Sequence, residues 1–271
     1  MHTVAYSLGA ALYMGASVRY ATWFAQARPG TPRLAAVLLY VGIACHLAGL
    51  AIYWATFGEP PLVGLGPSIA TLSLLIVLAL AAVGTFSETR AVGLVLTPFA
   101  ALLLIAAILI GLHPTGLPLS FREPWLAIHT SLSFLGYAAW VVAAAAASMY
   151  LVQFRELKHK RLGAVFQFFP ALETLDRLTQ RSLVLGFSSF TLGILVGSIW
   201  TLRFNPAMGP TDPKVLWGLL AWVVLGVAVW MRLSGHRSSR EAAVWNVAGF
   251  VLVFVAYLVF KAMAPGTRFF L

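Results

Sequence analysis

With 271 residues, 61% of them hydrophobic and 10% charged, and a mean hydropathy of +0.89, this sequence lies outside the range of a water-soluble globular domain. Its net charge of +10 would fit a nucleic-acid binder, but no basic helix with interleaved aromatics accompanies it, so membrane topology and anionic lipid explain the charge better. The pattern predicts an all-α, polytopic membrane bundle of eight transmembrane helices in a single integral membrane domain, 1–271.

Eight apolar runs reach the roughly 20 residues that a bilayer crossing needs. They are Thr3 to Ala25, Leu34 to Phe57, Ser68 to Phe86, Ala91 to Leu112, Trp125 to Phe154, Ser182 to Leu202, Val215 to Met231 and Ala242 to Met263. The first has neither a charged start nor a small-residue cleavage site, so it reads as a span and not as a removed signal peptide. Only Ser87 to Arg90 separates the third run from the fourth.

In the second run, His46 falls near the bilayer midplane, with Gly42, Gly49 and Tyr53 on its face. Small residues one turn away on each side predict room for a flat macrocycle against the helix, with Tyr53 stacking on it or bonding to it. The alternative is a histidine that bonds a Ser, Thr or Tyr of another helix. His113 lies in the outer loop Gly111-Leu-His-Pro-Thr-Gly-Leu-Pro118, either solvated or folded over the start of the fifth span.

The fifth span carries the most informative residue. His129 sits about four residues inside the predicted outer boundary, in Trp125-Leu-Ala-Ile-His-Thr-Ser-Leu-Ser-Phe-Leu-Gly-Tyr137. At helical spacing His129, Ser133, Gly136, Tyr137 and Trp140 share one face, a polar and aromatic stripe that belongs against protein or a cofactor. Imidazole is costly in lipid and a good axial ligand for haem iron. The alternative is an interfacial histidine bonded to water and loop carbonyls.

The segment 155–181 is the one large non-spanning stretch, an inner loop. Pro170 and the spacing of Leu172, Leu175 and Leu178 predict a short amphipathic interfacial helix within Phe166 to Leu178, resting on the bundle or docking a partner. Gly193 and Gly197 in the sixth span form a GxxxG pattern for close helix approach, and the Ala143 to Ala147 run of the fifth span serves the same purpose.

Basic residues set the orientation. If the N-terminus is outside, the inner side collects Arg19, Arg28, Arg33, Arg90, Arg155, Lys158, Lys160, Arg161, Arg177, Arg181, Arg232, Arg237 and Arg240. The outer side keeps Arg122, Arg203, Lys214, Lys261 and Arg268. This bias predicts that both termini are on the outer side, in a multi-pass protein of a bacterial plasma membrane.

Several chemistries find no residues. There is no Walker loop, GxSxG or HExxH, and none of the eight carboxylates sits centrally in a span, which leaves an enzyme or an ion-coupled transporter without its usual groups. Cys45 is the lone cysteine and forms neither an internal disulfide nor a CxxC pair. Arg122, Arg203 and Lys214, all on the outer side, can pair with propionates or simply snorkel at helix ends.

The stretch from Trp125 to Trp200 resembles the HemX branch of the CcsA/CcmC-type cytochrome c assembly proteins. The resemblance lies in His129 to Tyr137, Leu151-Val-Gln-Phe-Arg-Glu-Leu-Lys158, Phe169-Pro-Ala-Leu-Glu-Thr-Leu-Asp176 and Gly186 to Trp200, and continues through Asp212-Pro-Lys214, Trp217 to Trp222, Arg232 and Phe250. It implies a protein that binds haem, as haem b, and handles it near the outer surface. It places His129 at the first outer ligand histidine and Asp212, Pro213 and Lys214 at the end of a haem platform. The chain departs from the parent branch in three places. No tryptophan lies between Trp200 and Trp217, Trp230 stands where a membrane histidine is expected, and the last span is followed by no histidine.

On these residues the expected function is haem handling or control of tetrapyrrole supply without a covalent reaction, so no enzyme is expected. Haem, membrane lipid and cytochrome c assembly subunits are the expected partners, with His129 and His46 as metal ligands and His113, Tyr137, Arg122, Arg203 and Lys214 lining the cofactor. Two alternatives stand beside it: a regulator that docks a tetrapyrrole-synthesis enzyme through the inner loop, and a porphyrin or other small-molecule transporter.

Overall fold

The computed structural model describes residues 1–26, 33–84, 87–114, 124–160, 163–204, 212–235 and 238–263. Among these there are nine α-helices: α1 (His2–Ala25), α2 (Arg33–Phe57), α3 (Leu65–Gly84), α4 (Gly93–Ile110), α5 (Pro124–Lys158), α6 (Ala164–Phe168), α7 (Leu172–Phe204), α8 (Pro213–Leu233) and α9 (Ser239–Met263). A 3₁₀ turn, Ser87–Val92, joins α3 to α4. The architecture is the expected all-helical membrane bundle. Seven helices are long and apolar enough to cross a bilayer.

The remaining long helix, α1, falls short in apolarity because its polar groups face inward. Tyr6, Tyr13 and Tyr20 are buried at 1%, 0% and 4% exposure. Their rings lie where a Cβ on Gly49, Gly42 and Gly93 would be, so α1 runs antiparallel to α2 and along α4 in close contact. α1 thus shares the depth of α2 over three turns.

Helix α5 is the central post. Every residue from 138 to 147 is buried, a stretch of almost three turns that no exposed face interrupts. Alanine dominates it because α3, α7 and α9 all approach it closely. The core accordingly has two parts. One lies among α1 to α4 and the inner half of α5, and the other joins Trp140 and Ala143 to Leu183, Phe190, Ala221, Leu225, Ala228 and Val253 of α7, α8 and α9.

The inner loop differs from its expected form. α6 is only five residues long, and α7 begins at Leu172, ten residues before the predicted sixth span. Pro170 does end one helix and precede another. The leucines after it belong to the long helix: Leu175 is fully buried in the core and Leu172 and Leu178 pack against it. Burial against the bundle, not the membrane surface, takes up that apolar stripe. Phe168 packs edge-on against Trp23, and Phe169 lies beside Phe24, which pins the segment to the end of α1. Asp176 of α7 accepts a hydrogen bond from Arg232 of α8 at 2.5 Å, closing the same end of the bundle.

A Cβ on Gly42 would stand 2.7 Å from the Tyr13 ring, so Gly42→Val forces α1 away from α2. Overpacking of this kind costs about 1–3 kcal/mol. Thermal unfolding in detergent is expected to show a lowered midpoint, and an unchanged one would mean the α1–α2 contact is not formed.

Candidate functional site

His129 lies in the second turn of α5, where α5 and α7 run antiparallel in a single register. A Cβ on Gly197 would meet the His129 ring, one on Gly193 would meet Ser133, and one on Gly136 would meet Phe190 and the Gly186 carbonyl. The GxxxG pair therefore packs internally, as the sequence indicates. It also does something the sequence does not disclose. The small residues let the imidazole lie flat against α7, so that its Nδ1 is 2.7 Å from the Gly193 carbonyl oxygen.

A carbonyl oxygen only accepts, so Nδ1 carries the proton and donates it. In the neutral ring the lone pair then resides on Nε2, which has no hydrogen-bond partner among the described residues. This is the arrangement that orients a histidine toward a metal. Among the described residues no group of three or more His, Cys, Asp or Glu side chains could hold a bare ion. An imidazole held this way can serve as one ligand to a metal.

Toward the membrane interior the same helices carry an aromatic wall. Tyr137 meets Phe190 edge-on at 4.9 Å and shares a hydrogen bond with the Trp217 side chain. Trp217 faces Tyr257 at 5.8 Å, and Trp222 stacks on Phe187 at 5.6 Å while its indole N–H donates to Thr191. Trp140 is buried and donates to Asn246 at 3.0 Å. Tyr137 thus lies where the sequence put it. The wall around it comes from four helices, and its members could be found in the sequence only as scattered aromatics.

Among the outer cations, Arg203 is exposed in the last turn of α7, at the His129 end of that helix. Arg122 lies outside the described residues, as does the side chain of Lys214 in the first turn of α8. Trp230, which occupies the position of the expected membrane histidine, is 70% exposed on the outside of α8 and takes no part in this site.

His46 sits elsewhere, enclosed by α1, α2 and α3. The sequence expectation of free space beside it is corrected here. The Tyr13 ring fills the face at Gly42 and the Tyr6 ring fills the face at Gly49, so the glycines admit tyrosines and leave no room for a macrocycle. Nδ1 of His46 is 3.2 Å from the Tyr13 hydroxyl, and Tyr6 meets the imidazole edge-on at 5.2 Å. His113 is exposed and faces His2 at the start of α1. Nothing in the described residues brings it or His46 to His129.

These features define a class: a polytopic helical membrane protein that presents a tautomerically fixed imidazole, beside an aromatic wall, at one end of its bundle. The sequence matches the cytochrome c assembly protein family over residues 63–267. The chain belongs to that family. Its relatives include the cytochrome c biogenesis protein CcsA of Guillardia theta, 27% identical over 54% of each chain. CcsA of Microcystis aeruginosa is 27% identical, covering 88% of this chain and 87% of that one. CcsA of Gloeothece citriformis is 27% identical over 90% of each. The chain thus spans about half of the Guillardia theta protein and nearly all of the two others.

Trp140→Phe would keep the ring and strip Asn246 of its indole donor inside the bundle. Leaving a buried acceptor unpaired costs about 1–3 kcal/mol, so a lower unfolding midpoint is expected, and Trp140→Phe with Asn246→Leu together should recover part of it. A double variant no more stable than the single one would show that the pair is not coupled.

Proposed function

We propose that this protein binds and hands on haem in the membrane, as a b-type, non-covalently held group that His129 would hold through Nε2. The observation that carries this reading is the bond from His129 Nδ1 to the Gly193 carbonyl, which puts the lone pair of the neutral ring on Nε2, a nitrogen with no hydrogen-bond partner among the described residues. The aromatic wall of Tyr137, Phe190, Trp217 and Trp222 supplies the apolar surroundings that a macrocycle requires. Bound haem would supply iron with an open coordination position for an imidazole. This chain's part is to orient that imidazole, exclude water through the aromatic surface, and offer Arg203 to a propionate. Family membership supports haem handling in cytochrome c assembly, with assembly subunits as partners.

The bias of basic residues supports an orientation with the His129 end, both termini and Arg203 on the outer side of the membrane. The HemX-like role in tetrapyrrole supply gains support from one observation at the opposite end. At 1.5 Å per residue α5 and α7, with 35 and 33 residues, are each about 50 Å long, well beyond a hydrocarbon core of about 30 Å. At the end that carries Lys158 and Leu172 the excess length lies against α1 and α8, and its exposed side, with Glu173 and Arg177, is the surface that would dock a synthetic enzyme.

Optical spectra of the purified protein with and without added haemin test the ligand. A sharp Soret band with split reduced bands is expected, lost in His129→Ala and weakened in Gly197→Val, whose side chain would displace the imidazole; His46→Gln should keep it. A spectrum that haemin leaves featureless, or a Soret band that survives His129→Ala, removes His129 as the ligand.

A further inference from the structure

A second set of polar groups lies in α1 and α2, mostly outside residues 63–267 that carry the family match. From the N-terminal end of α1 inward it comprises His2, Tyr53, Tyr6, His46 and Tyr13. His2 faces Tyr53 at 5.7 Å, Tyr6 meets His46 at 5.2 Å, and Tyr13 bonds to His46 Nδ1 at 3.2 Å. Between His2 and Tyr13 the helix rises about 16 Å, so the column runs from one face of the bundle to near its middle.

Among the described residues the hydroxyls of Tyr53 and Tyr6 are buried with no hydrogen-bond partner, and Nε2 of His46 has no well-aligned one, the nearest acceptor being main chain at Ala70. Tyr53, Tyr6 and His46 are themselves 0%, 1% and 1% exposed. Unpaired buried groups of this kind are rare in native proteins, and a series of them along one interface calls for a common partner. Nothing else packed against the column serves. Titratable neighbours are His113 beside His2, Glu59 beside Tyr53 and Cys45 beside Tyr13, while α3 contributes only main chain, at Ala70. Beyond Tyr13 the buried residues are Ala16, Leu39 and Ile43, and the one hydroxyl there, that of Ser17, is taken up by the Tyr13 carbonyl at 2.8 Å.

The small molecule that fits beside tyrosine rings already in van der Waals contact with glycines is water. We propose that α1, α2 and α3 enclose a file of internal water molecules that starts at His2, passes the Tyr53 and Tyr6 hydroxyls, and ends at His46. The file is a half-channel: it gives the buried imidazole proton exchange with the face of the membrane that carries the N-terminus and is stopped by the apolar block after Tyr13. It is separate from the His129 site, and the test below does not involve haem.

Radiolytic hydroxyl footprinting of the full-length protein in lipid nanodiscs, after brief mixing with H2¹⁸O, detects residues that touch exchangeable internal water. Tyr6, Tyr53 and His46 are expected to take up ¹⁸O well above Trp140, which is as deeply buried and is hydrogen-bonded within the protein. In the double variant Tyr6→Phe, Tyr53→Phe the rings remain and the hydroxyls go, and labelling of His46 should fall to the Trp140 level. Labelling of Tyr6 and Tyr53 no greater than that of Trp140 would overturn the proposal, and so would undiminished labelling of His46 in the double variant. If the double variant does not fold, the wild-type comparison alone decides.

Discussion

The bundle depends on how closely its helices approach α5. Residues 138–147 are enclosed on every side, which is possible only because most of them are alanine. In a membrane the lipid is as apolar as the protein, so there is little hydrophobic gain in bringing helices together, and van der Waals fit between small residues takes its place. The same device recurs at the site. Gly193 and Gly197 bring α7 near enough for a histidine on α5 to reach its main chain.

That economy explains the placing of the polar groups. Side chains that would be costly in lipid are turned inward and given partners across a helix pair. Trp140 bonds to Asn246, Trp222 to Thr191 and Arg232 to Asp176. The first joins α5 to α9 and the other two join α7 to α8, so the polar minority helps to fix which helices are neighbours while the apolar majority fixes only that they lie in the membrane. α1 carries this furthest, with Tyr6, Tyr13 and Tyr20 all turned inward.

Much of the fold was legible in the sequence because span length and hydropathy are local properties. Seven of the eight long helices begin and end close to the predicted runs, and α7 begins ten residues early. Two departures share one cause, which is that a one-dimensional pattern does not say what covers a face. The leucine stripe after Pro170 has the spacing of an interfacial helix, yet α7 extends to include it and buries Leu175 in the core. Gly42 and Gly49 read as space beside His46, but a glycine only permits approach, and the tyrosines of α1 occupy it. His129 was legible as a candidate because a histidine on a polar stripe is costly without a role. Its partner was not, since a main-chain carbonyl has no sequence signature.

The nature of that partner bears on what the site can do. A carboxylate bonded to a ligating histidine draws the Nδ1 proton toward itself and makes Nε2 a stronger donor to metal, whereas a backbone carbonyl orients the ring with less effect on its basicity. The Gly193 carbonyl is carried by a long helix and cannot swing away, so the orientation is firm. A protein that keeps a metal permanently gains from a strong donor. One that must receive a group and pass it on gains from a fixed direction and a bond weak enough to be exchanged. His129 is held by a main-chain carbonyl and not by a charge, and under the proposed function that suits the second task better than the first.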